Sequence, residues 1–386
     1  MSAARKAAIV GVYTTAQGKR LGRTKVSLEI EALKGALADA GLAHTEVDGL
    51  SPLLAEPWSK TQMYWAEQLG ARPVTYIGTG QGEGAVAKAA AAISAGVCKV
   101  AVAWVAHVGG GQSPGTKAVP TAAPRLPDFH WEIQGAYMTP LYALWAQRYM
   151  HEFGVSSEDL AQVAVIHRDH AVLNPESVMG RKGPITIEDV VSSRMVADPL
   201  HLLDCSIEND GGYAIVIAAE EIARDCRQIP VWVLGGAEAT ATDVYQTFNN
   251  PWFPEAGKSV RRCTDMAFEM AGIGREEIDV ANLYDCFTIT MLRDLEEMGF
   301  CKIGEAADYV REGHTRLGGS MPCNTDGGLL SNSHNTNPSG MSVIEIVRQL
   351  RGACGERQVK DARIGVALGQ GGSIHGLAST VVLARD

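Results

Sequence analysis

No uninterrupted apolar run in this 386-residue chain reaches the roughly 20 residues that a membrane-spanning helix needs. Positive charge is also short, with a formal net charge of −10. That balance argues against a general nucleic-acid binder or a polybasic membrane anchor. It leaves room for an anionic ligand, because a local Arg or Lys cluster or a helix N-terminus can hold phosphate on an acidic protein. Eight cysteines are scattered with no C-x-x-C pair, which fits neither a zinc site nor a small disulfide scaffold. Reduced thiols in a cytoplasmic protein are the expectation. The start, MSAARKAAIVGVYTT, lacks the long apolar core of a signal peptide and reads as a first buried strand. There is no low-complexity tract and no short-period repeat.

What is present is ordinary for a packed globule: 46% hydrophobic and 20% charged residues. Lys6–Val12 is a short apolar run broken by Gly11, and Ser27–Ala40 has helical spacing that stops near Gly41. Gly84–Ala95 is an Ala-rich helix closed by Gly96, and Val100–Val105 is the next buried strand. Such strand–helix–strand alternation predicts parallel pairing in an α/β sheet. Gly109–Pro127 is loop-like. Two helices are expected at Thr139–Phe153 and Ser156–Leu173, the second with a Ser-Ser-Glu-Asp cap and an Asn174-Pro175 stop. Ile185–Leu200 forms a looser unit, so residues 109–205 read as an inserted subdomain over the core. Alternation resumes with strands at Tyr213–Ala219, Pro230–Gly235, Val280–Tyr284, Ile364–Leu368 and Thr380–Leu383. Helices are expected at Ser259–Ala271, Thr288–Met298 and Ser342–Arg351. The first and last thirds thus follow one plan, giving halves at 1–225 and 226–386.

Four segments, in order along the chain, carry a resemblance. They are VTYIGTGQGEGAVAKAAAAISAGVCKVAVAW (74–104), RMVADPLHLLDCSIENDGGYAIVIAAEE (194–221), NLYDCFTITMLRDLEEMGFCKIGE (282–305) and NTDGGLLSNSHNTNPSGMSVIEIVRQLRG (324–352). Together they resemble the thiolase superfamily, and within it the sterol-carrier-protein (lipid-transfer-protein) branch. The resemblance implies two βαβαβαββ-like halves in a five-layer α-β-α-β-α arrangement and an acyl-CoA substrate, so coenzyme A enters as part of the substrate. It also implies a homodimer.

The departures from the family pattern are informative. Counting back from Gly82, the place of the nucleophilic cysteine is taken by Thr79, and a hydroxyl is a far poorer nucleophile than a thiolate near neutrality. The family's second cysteine precedes the loop ALGQGGSIHGLAST (367–380), where Leu368, Gly369 or Gln370 now stands. His334 falls at the family's GH-P histidine. Tyr284 falls where the branch usually has the His of HDCF. This Tyr-Asp-x-Phe arrangement looks like that of thiolase-like aldolases that shorten steroid side chains by cleaving a β-hydroxyacyl-CoA between Cα and Cβ. They commonly work with a small OB-fold and zinc-ribbon partner, which implies a heterotetramer.

Retro-aldol cleavage needs a base for the β-hydroxyl, donors for the thioester enolate and an acid for Cα. Tyr284 and His334 are the leading acid/base candidates, in unassigned order, with His375 on the last Gly-rich loop as a third. Thr79, Gly82, Gly371, Gly372 and Asp285 are expected to line the substrate site, Asp285 with the competing role of bracing its loop. No metal and no cofactor is expected in this chain. GTGQGEG lacks a clean G-x-G-x-x-G and a ribose acid, and His167, Arg168 and His170 lack a ligand set, so they read as a packed or solvated helix face. Two rivals remain: an acyltransferase with a relocated nucleophile, with Cys286 and Cys323 nearest the inferred site, and a non-catalytic subunit that binds acyl-CoA.

Overall fold

The structure, a computed structural model, describes residues 6–52, 59–78, 80, 82–109, 138–240, 258–334, 339–371 and 376–386. Thr79, Gly372, His375 and nearly all of the Gly109–Pro127 loop lie outside them. The strands are β1 (Ala7–Thr14), β2 (Gly49–Leu50), β3 (Thr75–Tyr76), β4 (Val100–His107), β5 (Met195–Ala197), β6 (Leu200–His201), β7 (Gly211–Ala219), β8 (Val231–Thr240), β9 (Val280–Asn282), β10 (Ile364–Gly371) and β11 (Leu377–Ala384). The α-helices are α1 (Lys25–Ala40), α2 (Ser59–Gln68), α3 (Gly82–Ser94), α4 (Met138–Phe153), α5 (Ser157–Val172), α6 (Ile187–Val191), α7 (Glu220–Ala223), α8 (Lys258–Ala271), α9 (Thr288–Glu297), α10 (Ala306–Arg311) and α11 (Ser339–Leu350).

Nine strands pair in the order β3-β2-β4-β7-β1-β8-β11-β10-β9, and β5-β6 form a separate hairpin. From the β1–β8 seam outward, both sides repeat one pattern. The order β1-β7-β4-β2 runs antiparallel, antiparallel, parallel, and so does β8-β11-β10-β9. The expected parallel pairing holds at the outer strands, β3-β2-β4 and β10-β9, and the centre of the sheet is antiparallel. The cause is connection length. Five residues join β10 to β11, too few for the crossover that a parallel neighbour requires.

The layers follow from which faces are apolar. α1 covers the outer face of the first half-sheet, where Ala32, Leu33, Ala36 and Leu37 meet Val10, Val102 and Val216. α3 and α11 lie between the half-sheets, in one core with Ile9, Ile215, Val280 and Val381. α8 covers the outer face of the second half, together with α4, α5 and α9. This is the α-β-α-β-α stack. Two glycines repeat with the pattern. A Cβ on Gly11 of β1 would collide with the Ala36 carbonyl of α1, and one on Gly235 of β8 would collide with the Ala267 carbonyl of α8. Each lets an outer helix settle on its strand.

The long central helix α5 has the cap the sequence offers. Ser156 Oγ accepts from Asp159 N at 3.2 Å, and Asp159 Oδ2 accepts from Ser156 N at 2.9 Å. The loose unit resolves into α6 and the β5-β6 hairpin.

Candidate active site

Tyr284 stands two residues beyond β9, at the C-terminal end of the parallel β9–β10 pair. The chain leaves the sheet there because Asn324 takes over the pairing. Its side chain accepts from Leu283 N at 2.8 Å and donates to Leu283 O at 2.9 Å. Tyr284 lines a small cavity with Asn282, Leu329, Ser333, Met341 and Leu368. Burial, with Cys286 and Asp285 beside it, holds its phenol well above its ordinary 10. At neutral pH it is therefore a proton donor.

Asp285 is fully buried. Its carboxylate accepts from Leu329 N at 2.8 Å and Leu330 N at 3.3 Å, and meets His167 Nδ1 at 2.7 Å. Gly328, with φ +59°, brings the backbone so close that a Cβ there would strike Asp285 Oδ2. These contacts make Asp285 the brace of the 324–334 segment. The neighbours of His167 on α5 do similar work. Arg168 Nε donates to Ser331 Oγ at 3.0 Å, and His170 bridges Leu317 N (3.0 Å) and Asn324 O (3.2 Å). The His167–Arg168–His170 group is thus a packed face that fastens the insert to the loop carrying His334.

His334 follows on that loop. Its Nδ1 lies 3.1 Å from Ile207 O and 3.0 Å from Ser206 Oγ, and its backbone N donates to Asn209 Oδ1 at 2.8 Å. A carbonyl only accepts, so Nδ1 carries the proton and Nε2 keeps its lone pair. Burial pushes the imidazole down to about 4, against the pull of Asp285 and Glu208. The ring is neutral at neutral pH, with one nitrogen ready to accept. Ser206 ties it to the first candidate: its backbone N donates to Cys286 O at 2.9 Å while its hydroxyl meets His334. Tyr284 and His334 are thereby held on one framework made of the ends of β9, the 324–334 loop and the Cys205–Asn209 segment. Sequence reasoning missed Ser206, while the packed-face reading of His167, Arg168 and His170 agrees with their contacts. A serine inside the quoted 194–221 segment was visible, but its role depends on chain ends brought together from far apart.

Burial holds the thiols near this framework in their protonated form. Cys286 is buried, hydrogen-bonded to Tyr142 and Thr290, and its pKa is raised by burial. Tyr142 stacks on Phe287 with ring centroids 4.3 Å apart and seals it in. Cys323 is also buried and raised. At the start of α3, Gly82 is buried and Glu83 is wholly enclosed. The Glu83 carboxyl is bonded to Ser342 Oγ and lies 3.5 Å from Ser379 Oγ. Gly371 ends β10, paired with Leu377.

Comparison with known proteins shows what the chain as a whole is similar to. A family model described as thiolase C-terminal domain-like matches residues 216–385. The chain is 35% identical over 365 residues to a steroid side-chain-cleaving aldolase from Thermomonospora curvata, covering 90% of each chain. It is 37% identical over 363 residues to a 17-hydroxy-3-oxo-4-pregnene-20-carboxyl-CoA lyase from Mycobacterium tuberculosis, covering 90% of this chain and 92% of that one. A solved Ltp2-ChsH2(DUF35) aldolase superposes with a TM-score of 0.86 at 32% identity, over 99% of this chain and 98% of that chain.

Proposed function

The chain belongs to the thiolase superfamily, and from that premise we propose that it is a retro-aldolase acting on a β-hydroxyacyl-CoA with a steroid-like or similarly bulky acyl group. The observation that carries the reading is a pair of neutral proton-transfer groups, Tyr284 and His334, tied together beside thiols that burial keeps protonated.

His334 Nε2 takes the β-hydroxyl proton. The carbon–oxygen bond becomes a carbonyl as the Cα–Cβ pair moves onto Cα and the thioester oxygen. Tyr284 then gives its proton to Cα, completing the shortened acyl-CoA, and the proton on His334 restores the phenol. The products are a ketone or aldehyde and an acyl-CoA, and no covalent enzyme intermediate forms. Thr79, Gly82, Gly371 and Gly372 are the residues proposed to line the thioester site, and His375 stays a candidate for proton transfer. Asp285 acts through the fold, as a brace. The similarity to an Ltp2-ChsH2(DUF35) aldolase supports a DUF35-type partner, and the proposal adds that this partner carries an OB-fold and zinc ribbon and joins a homodimer of this chain in a heterotetramer.

The test incubates the chain, alone and with such a partner, with β-hydroxyacyl-CoA esters. Carbonyl release without added free CoA, reduced at least 100-fold by Tyr284→Phe in a folded protein, is expected. Product formation only when free CoA is supplied would establish thiolysis instead.

A further inference from the structure

One buried acid near the cavity has no part in the reaction as written above. Asp294 of α9 and Gln370 of β10 are each 3% exposed. Gln370 Nε2 donates to Asp294 Oδ1 at 2.5 Å. The other carboxyl oxygen, Oδ2, is buried and has no hydrogen-bond partner among the described residues. Alternate residues of a strand share a face, so Gln370 projects on the same side of β10 as Leu368, which lines the cavity with Tyr284.

An ionised carboxylate with one bare oxygen in such a place would carry a large desolvation cost. The charged and titratable groups around it are Arg293 and Glu297 on its own helix, Asp285 beyond β9, and the Tyr284 and Cys286 side chains, both of which a charge on Asp294 would raise. Arg293 does not neutralise it by a close ion pair. Its guanidinium lies over the Trp145 ring at 4.2 Å and 3.8 Å from Glu297. Burial outweighs the Arg293 charge and holds the Asp294 carboxyl well above its ordinary range. Because Oδ1 accepts from Gln370, the proton of the neutral acid sits on Oδ2.

We propose that Asp294 is a positioning residue for Tyr284 that works as an uncharged acid, its Oδ1 fixed by Gln370 and its Oδ2–H a donor in reserve. The inference rests on the retro-aldol reading, in which Tyr284 gives up its proton and oxygen bears negative charge. A carboxylate on Asp294, behind the cavity, would repel that charge, whereas a neutral acid with an unspent O–H offsets it.

The experiment combines spectroscopy with a variant pair. Infrared difference spectra of wild-type chain against Asp294→Asn, taken near pH 7 without substrate, are expected to show the carbonyl stretch of a neutral carboxylic acid that the variant loses. In the cleavage assay, Asp294→Leu is expected to lower kcat about 100-fold with KM within about threefold, and Asp294→Asn, which keeps a donor, to recover at least 10-fold of that. Equal losses in the two variants would mean a packing role and overturn the proposal. So would a carboxylate band in place of the neutral one. The spectrum is read without turnover, so its failure is separate from a failure of the wild-type chain to cleave any ester, which would strike the retro-aldol reading.

Discussion

Glu83 offers a quantitative test of how this fold reuses the helix that opens beside Thr79. Its carboxyl is fully buried at the start of α3, bonded to Ser342 of α11 and close to Ser379 of β11, and burial pushes it up to about 8. In the unfolded chain the same group titrates near its ordinary 4.5. Below pH 4.5 both states hold the proton, and the group adds no pH dependence. Between 4.5 and about 8 the unfolded chain releases it while the fold retains it, so stability falls as pH rises. At about 1.36 kcal/mol per pH unit, the loss is complete above pH 8 at about 5 kcal/mol. That is a large part of the 5–15 kcal/mol typical of a folded domain.

Glu83→Gln should remove the slope. The amide donates and accepts as the neutral acid does, so both serines keep a partner. Urea unfolding at pH 5, 7 and 9 should show the variant gaining on the wild type by about 3 kcal/mol from pH 5 to 7 and little more above pH 8. A difference that stays constant across that range would mean that Glu83 is ionised in the fold, and the account of the α3–α11–β11 contact would be wrong.

The pH profile of kcat/KM should be flat on its acid side until pH drops through about 4, where His334 takes up a proton and stops accepting one. A limb near 6.5 would contradict its burial. Both His170 and His334 are held near 4, so their contribution to stability should be full above 6.5 and lost as pH falls from 6.5 towards 4, readable as a falling Tm. Asp285→Ala should cost about 3–5 kcal/mol in chemical denaturation, because it strips His167 and the Leu329 and Leu330 amides of their acceptor. A loss of activity with unchanged stability would instead give Asp285 a direct chemical role. Thiol-blocking reagents should leave native activity intact, since Cys286, Cys323 and Cys263 are buried and raised, Cys263 to about 12. Rapid inactivation would favour a sulfur nucleophile.

Much of the architecture could be read from local pattern. Glycine stops, Ala-rich stretches and short β-branched runs located β1, α1, α3, β4, α5, α8 and α11 to within a few residues, because each records its own period and its own caps. Pairing direction could not be read that way. It depends on which strand ends come close, and the short β10–β11 connection and the return of β7 after the insert decided it. The two-residue strands β2 and β3 left no signal, since so short a segment has no period.

The sequence by itself determined that no cysteine stands at position 79 or in the last Gly-rich loop, because residue type is written in the chain. It also named Tyr284 and His334 as the polar groups left behind. Tertiary structure alone decided their protonation, since that depends on burial and on Ile207, Ser206 and Cys286 arriving from distant segments. It likewise turned Asp285 from a candidate ligand into a brace, because a carboxylate between His167 and two backbone amides is defined by its neighbours rather than by its own motif.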